Sequence, residues 1–356
     1  MKIFKNEIKI KVHIAVLLLR TLLANILSCS PKTDKLRGVS PIAISDETSI
    51  TVSNLDSIGD GELLSEAITG DNDEIEDGSD TESETFDTAT QELSDIYTTK
   101  KIYVDFTAPY ATYSIINDGY AVLYKVDRGK VANYKNKTVA VNAGHGTKGG
   151  ANVKTFSHPD FSPKYTGGST AAGSVLSAAV SAGMTFENGM TEANANLVIA
   201  YALKDKLLAD GYSVLMIRED DDCRLDNIAR TVIANENADA HIAIHFDSTN
   251  TDKGIFYIVP YNDARYLNME PLKSNVQNIK KLGDSVISAF REMGEKIWKD
   301  KGTLQGDLTQ LSFSTNASID IELGDRKTVL TMEKAETFAE GIKRGVDKYF
   351  GFESVN

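Results

Sequence analysis

From residue 137 to the C-terminus, short apolar runs alternate with longer stretches of helical spacing. That alternation leaves few folds open. The runs 139–142, 214–217, 240–245 and 319–322 are short and nearly continuously apolar, as strands buried on both faces are. Between the first two, Leu197, Ala200, Tyr201, Leu207 and Leu208 recur at helical spacing over residues 191–208, after the N-cap candidate Thr191 and before Gly211. Further helices are expected over 225–235, 279–298 and 332–349, and a further strand over 254–259. Such a chain folds as an α/β domain: a mixed, mostly parallel central sheet with helices on both faces. Ligands of these sheets gather at the carboxyl ends of the strands.

Two of the runs end in histidine. Gly144-His145-Gly146 follows the run at 138–142, and His245 closes Ala240-His241-Ile242-Ala243-Ile244-His245. Glu192 opens the predicted helix, and Glu322 ends Ser318-Ile319-Asp320-Ile321-Glu322. Two His and one carboxylate form a catalytic zinc set with an open fourth position, and a further carboxylate then suits a general base. Each residue also has a plainer reading. A lone strand-end histidine is usually structural, an acid in a first helical turn is favoured by the helix dipole, and a strand-end glutamate can simply be solvated.

Charge separates the folding part from what precedes it. Residues 41–100 carry 17 Asp and Glu against one Lys, residues 1–40 have a net charge of +6, and residues 101–356 are left with −3 of the total −13. The folded part therefore has no basic face of the kind nucleic acid requires. Residues 30–100 are too polar and too charged to bury a core, and are expected to form an acidic, extended linker that tethers a downstream domain. Ahead of it, Lys2, Lys5, Lys9 and Lys11 precede apolar stretches too short to span a bilayer, so residues 1–29 read as an export signal. That signal ends Ile26-Leu27-Ser28-Cys29, which looks like a bacterial lipobox, although Ile26, Leu27 and the interrupting Arg20 depart from the usual pattern. Cys29 is thus a candidate lipid anchor to the membrane, and the location is extracytoplasmic. Only one other cysteine, Cys223, is present, so no disulfide framework is expected. Residues 101–136, with β-like runs at 101–104 and 120–126, are expected as a lead-in segment packed on the main domain.

Taken in order, four segments resemble the motifs of the zinc-dependent N-acetylmuramoyl-L-alanine amidases. They are Val139-Ala140-Val141-Asn142-Ala143-Gly144-His145-Gly146, Glu192-Ala193-Asn194-Ala195-Asn196-Leu197, the block from Val214 to His245, and Ile321-Glu322-Leu323-Gly324. The resemblance covers roughly residues 137–349. It implies a zinc-hydrolase-like fold for a catalytic domain over 137–356, one Zn²⁺ held by His145, Glu192 and His245, and Glu322 as the catalytic base. The implied reaction is hydrolysis of the amide between N-acetylmuramic acid and L-alanine in peptidoglycan, by a monomer. Asn142-Ala143 stands where the family usually has Asp-Pro, a change that can alter a hydrogen bond behind the ligands. Asp325-Arg326-Lys327 departs from the usual residues after the last motif. His145 and Glu192 are 47 positions apart, far more than usual. The surplus, about 147–190, reads as an insertion beside the site, either a lid or substrate-selecting flap or a passive surface excursion.

Other candidates are read as follows. His241 has HxxxH spacing with His245, but on a strand it lies ~13 Å away at ~3.3 Å per residue and is expected to be structural. His158 would reach the site only if the insertion folds inward. Arg230 is expected in a structural ion pair, Cys223 as a loop thiol, Trp298 in the core on the long helix, and His13 within the signal. Two further functions compete: a zinc peptidase on a related scaffold, for which no second ligand set is evident, and a non-catalytic surface lipoprotein that binds peptidoglycan.

Overall fold

The computed structural model describes residues 95–352. The export signal, Cys29, His13 and nearly all of the expected linker lie outside the described residues. Eight strands form one mixed sheet in the order β1-β2-β6-β3-β7-β10-β8-β9. They are β1 (Tyr97–Ile102), β2 (Ala121–Val126), β3 (Thr138–Ala143), β6 (Ser213–Met216), β7 (Ala240–Asp247), β8 (Phe256–Pro260), β9 (Thr303–Gly306) and β10 (Ala317–Asp325). The central four, β6-β3-β7-β10, are mutually parallel. The small strands β4 (Lys154–Phe156) and β5 (Leu176–Ala178) pair within the insertion.

The lead-in is part of the sheet. β1 and β2 form an antiparallel pair, and β2 continues antiparallel onto β6. The first strand starts at Tyr97, inside the segment expected to be linker.

Six helices flank the sheet: α1 (Glu192–Ala209), α2 (Asn227–Asn237), α3 (Ala264–Leu267), α4 (Leu272–Glu292), α5 (Thr309–Phe313) and α6 (Met332–Phe350). Helices α1, α4 and α6 pack together on one face, while α2 and α5 cover the other. Thr191 caps α1 by accepting from Asn194 N, Asp226 caps α2, and Thr331 caps α6. None of these helices is long and apolar enough to cross a membrane.

One helix differs from expectation. α4 starts seven residues early and stops at Glu292, where Met293 leads into Gly294 at φ 79°. A glycine in the left-handed region ends a helix at little cost. Trp298 therefore lies beyond the helix, partly buried, with its ring 5.0 Å from that of Phe256.

Strand period two sorts the sheet's side chains. On β3, Val139 and Val141 face one way and Ala140 and Asn142 the other. Parallel register places Asn142 beside Ala243 and Ala243 beside Asp320, and sets His245 level with Glu322. Ser318, Asp320 and Glu322 thus share a face with His241 and His245, on the side covered by α2 and α5.

Candidate metal centre

His145 sits two residues past β3 with φ 64°, and Gly146 follows at φ 67°. A non-glycine residue there is strained by roughly 1–2 kcal/mol. Two buried arginines hold the turn in place. Arg218 donates to the carbonyls of Ala143, Gly144 and Ala193. Arg230 donates to Asn142 Oδ1 and to the carbonyls of Ala143 and His145, the last at 2.6 Å. A Cβ at Gly146 would fall 2.6 Å from the Arg218 guanidinium, so the glycine admits the arginine.

Arg230 departs from the expected ion pair. All six of its hydrogen bonds go to neutral acceptors, including Leu225 O, Thr147 Oγ1 and Cys223 Sγ. Its charge is shared among carbonyls because the turn after β3 presents them inward. Cys223 is correspondingly buried, although it lies in a loop.

His145, Glu192 and His245 converge, and among the described residues one such group of potential metal ligands is found. Glu192 Oε1 lies 2.8 Å from His145 Nε2 and 3.0 Å from His245 Nδ1, and the two ring nitrogens are 3.1 Å apart. Each residue comes from a different kind of element: a strand-end turn, a helix N-terminus and a strand. Three ligand atoms this close must share either protons or a metal ion. Their spacing is slightly tighter than the edge of a zinc tetrahedron, about 3.3 Å for bonds of ~2.0 Å. The donor set, two imidazoles and one carboxylate, also suits zinc. The residues fit the ion.

Hydrogen bonds fix His145 and Glu192 from behind. His145 Nδ1 faces Ser181 O at 2.8 Å, which leaves Nε2 for the corner. Glu192 Oε2 accepts from Met184 N, and Oε1 also accepts from Phe246 N. Burial opposes the charge on Glu192, but hydrogen bonds from both histidines hold its carboxyl well below the usual range. His245 packs its ring flat on Gly144, where a Cβ would lie 2.1 Å from Cε1. Burial disfavours its protonation, yet Asp320, Glu192 and Glu322 outweigh that and push it up to about 9.

Glu322 lies level with His245 on the neighbouring strand, and its Oε2 is buried without a hydrogen-bond partner among the described residues. Burial pushes its carboxyl well above the ordinary value, with Asp320 adding to the effect. A carboxyl shifted toward neutrality can both take and return a proton near pH 7.

The remaining candidates are placed elsewhere. His241 is fully buried between Asn142 Nδ2 and Ser318 Oγ, each at 3.2 Å, and burial with nearby Arg230 lowers its pKa to about 3. It stays neutral and structural. The amide of Asn142 is used on Arg230 and His241, behind the corner. His158 is buried against Asp307, 3.3 Å away, and does not join the ligands.

The insertion is tied down at both of its ends. At its near end Ser181 and Met184 contact His145 and Glu192, and Gly183, at φ 82°, lies against the His145 ring. At its far end Asp307 accepts from Lys164 Nζ at 2.8 Å, from Tyr165 N, and from both the amide and the hydroxyl of Thr166.

One residue of the site was not weighed in the sequence. Asp320 is buried with Oδ2 3.6 Å from His245 Nε2, and its Oδ1 has no hydrogen-bond partner among the described residues. The signal was present: Asp320 is two residues before Glu322 on a strand and must share its face.

The family model for N-acetylmuramoyl-L-alanine amidases matches residues 139–348. Among solved structures, the N-acetylmuramyl-L-alanine amidase Ami1 from Mycobacterium smegmatis is 17% identical, with 62% of this chain and 99% of that chain covered and a TM-score of 0.51. At that identity the likeness is one of fold. Ami1 from Mycobacterium abscessus is 17% identical, covering 60% of this chain and 98% of that one, with a TM-score of 0.49. An N-acetylmuramoyl-L-alanine amidase from Clostridium difficile 630 is 22% identical, covering 63% and 100%, with a TM-score of 0.43. Among curated proteins none matches the chain. The family match spans more than half of the sequence, and the chain belongs to the N-acetylmuramoyl-L-alanine amidases.

Proposed function

We propose that this member of the N-acetylmuramoyl-L-alanine amidases is a zinc enzyme, with His145, Glu192 and His245 as the ligands and Glu322 as the catalytic base. The observation that carries the reading is the convergence of three ligand atoms, from the turn after β3, from α1 and from β7, near Glu322, whose Oε2 is buried without a hydrogen-bond partner among the described residues. Zinc bound there would acidify a water to a pKa of about 7 and polarise the scissile carbonyl. Glu322 takes the proton of the attacking water and returns it to the amine of L-alanine as the amide breaks. Glu192 and His145 hold their ligand atoms in one orientation through Met184, Phe246 and Ser181, so little reorganisation of these two accompanies the reaction. Ser181 and Met184 belong to the insertion, which supports a role for that segment in shaping the approach of the stem peptide.

The start of the chain supports an extracytoplasmic site of action. A basic n-region, an apolar stretch and Cys29 suit an exported lipoprotein, and the acidic segment that follows suits a tether between that anchor and a catalytic domain over 137–356.

The test is release of stem peptides from purified peptidoglycan by the full chain, before and after chelation and after zinc is restored. New L-alanine N-termini that vanish with chelator and return with zinc are expected. Glu322→Gln should bind zinc as the parent does and lose about 10²- to 10⁴-fold in rate. Unchanged activity in the variant, or release indifferent to chelator, would remove the respective role.

A further inference from the structure

His245 offers Nδ1 to the ligand corner, and its other nitrogen is the question. An imidazole that gives one nitrogen to a metal carries its proton on the other, and a carboxylate or carbonyl placed there sets the tautomer and the ring orientation. His145 has such a partner in Ser181 O. His245 Nε2 has no hydrogen bond of that kind among the described residues, but Asp320 Oδ2 stands 3.6 Å away. That is an ion-pair distance, longer than a hydrogen bond.

Three features say that Asp320 is there for His245. It is 7% exposed, so its charge is withdrawn from water at a cost that needs a reason. Its other oxygen, Oδ1, has no partner among the described residues, so nothing else fixes the carboxylate in place. It lines a cavity of about 70 Å³ together with Asn142, Arg230, His245 and Gln310. The side chain therefore has room to turn toward Nε2.

We infer that Asp320 is a positioning residue: with zinc on Nδ1 of His245, it accepts the Nε2 proton and so holds the ring in orientation toward the ligand corner. Its role is exerted through the His245 ring. The inference rests on the proposed metal reading of the corner, and its test separates the two.

The experiment measures zinc affinity of the full chain by competition with a chromogenic chelator, for the parent, Asp320→Ala and Asp320→Asn. It is paired with the ¹⁵N shifts of His245 in the zinc-loaded proteins and with the melting temperature of each zinc-free protein. Asp320→Ala should weaken zinc about 10- to 100-fold. Asp320→Asn keeps an accepting oxygen and should recover part of that loss. Measured above pH 9, where the ring charge of His245 is gone, the zinc-free variants should melt no lower than the parent, because a buried carboxylate without hydrogen bonds has been removed. In the loaded parent the ¹⁵N shifts should place the proton on Nε2. A merely structural role would lower the zinc-free melting temperature together with the affinity and leave the tautomer alone, and that outcome overturns the inference. So does zinc affinity in Asp320→Ala within about 3-fold of the parent, below the lower end of about 10-fold. A parent that binds no zinc defeats the metal reading itself, and the role of Asp320 with it.

Discussion

The ligand corner and the insertion beside it are built by opposite rules. The corner hangs on regular elements, with His145 just past β3, Glu192 in the first turn of α1 and His245 on β7. The insertion has only the short pair β4 and β5, and is held at its two ends by side chains and turns. Its far end depends on Asp307, whose carboxyl is surrounded by His158, Lys164, Tyr165 N and Thr166. Burial works against that charge, but the surrounding donors hold it below the usual carboxylate range. Its near end depends on backbone bonds from Val180 to Gly150 and between Met184 and Glu192. A site can thus combine ligands set by strand and helix ends with a wall held by side chains and turns.

The largest expected effect is on the wall. Asp307→Ala leaves Lys164 and His158 buried without their charge partner, and removing one member of a buried pair costs roughly 3–5 kcal/mol. Urea unfolding should show that loss, and limited proteolysis should cut first within 147–190. Zinc affinity should fall much less, because the near end keeps its own bonds to Gly150 and Glu192. An equal fall in both would mean that the two regions are one cooperative unit.

Next comes the corner. Gly144→Ala would place a methyl within the ring of His245, so the ring must swing away from Glu192. Zinc binding should weaken by about 10- to 100-fold or more, the scale on which ligand support is lost, with little change in zinc-free stability. Gly183→Ala is milder. It forces a residue with a Cβ to φ 82°, at roughly 1–2 kcal/mol, and presses that Cβ to 2.8 Å from the His145 ring. Its effect should divide between stability and zinc affinity, since Gly183 belongs to both regions.

The same contrast explains what could be read without coordinates. Val139, Val141, Ile242, Ile244, Ile319 and Ile321 announce buried strands by period, and each strand end then fixes where His145, His245 and Glu322 go. The fold and the converging residues were legible for that reason. Asp307 was not, since nothing local marks it as the acceptor for residues 141 to 143 positions earlier. Trp298 was misplaced because its apolar neighbours continue the helical spacing past Gly294. Asp320 was overlooked although the rule that placed Glu322 also places it. The ion pair expected of Arg230 failed because a left-handed residue at His145 turns carbonyls inward, which no side-chain pattern records.

The smallest effect is a proton count, and it separates the two regions by sign. In the zinc-free protein His245 titrates near 9, above the ~6.5 of an unfolded histidine. A raised pKa contributes stability that is fully present below about 6.5 and is lost as pH rises through about 9. Asp307 has the opposite sense. Its lowered pKa contributes stability above the ordinary carboxylate range that is lost as pH falls through its folded value. Zinc-free protein should therefore weaken at the corner on the alkaline side and at the wall on the acid side. Zinc needs Nδ1 of His245 unprotonated, so binding at pH 7 should release about one proton from that ring. Calorimetry in two buffers of different ionisation enthalpy measures the release. His245→Ala should abolish it, whereas Asp307→Asn should leave it unchanged while removing the acid-side loss of stability. Release that disappears in Asp307→Asn would place the proton in the wall and break the division between the two regions.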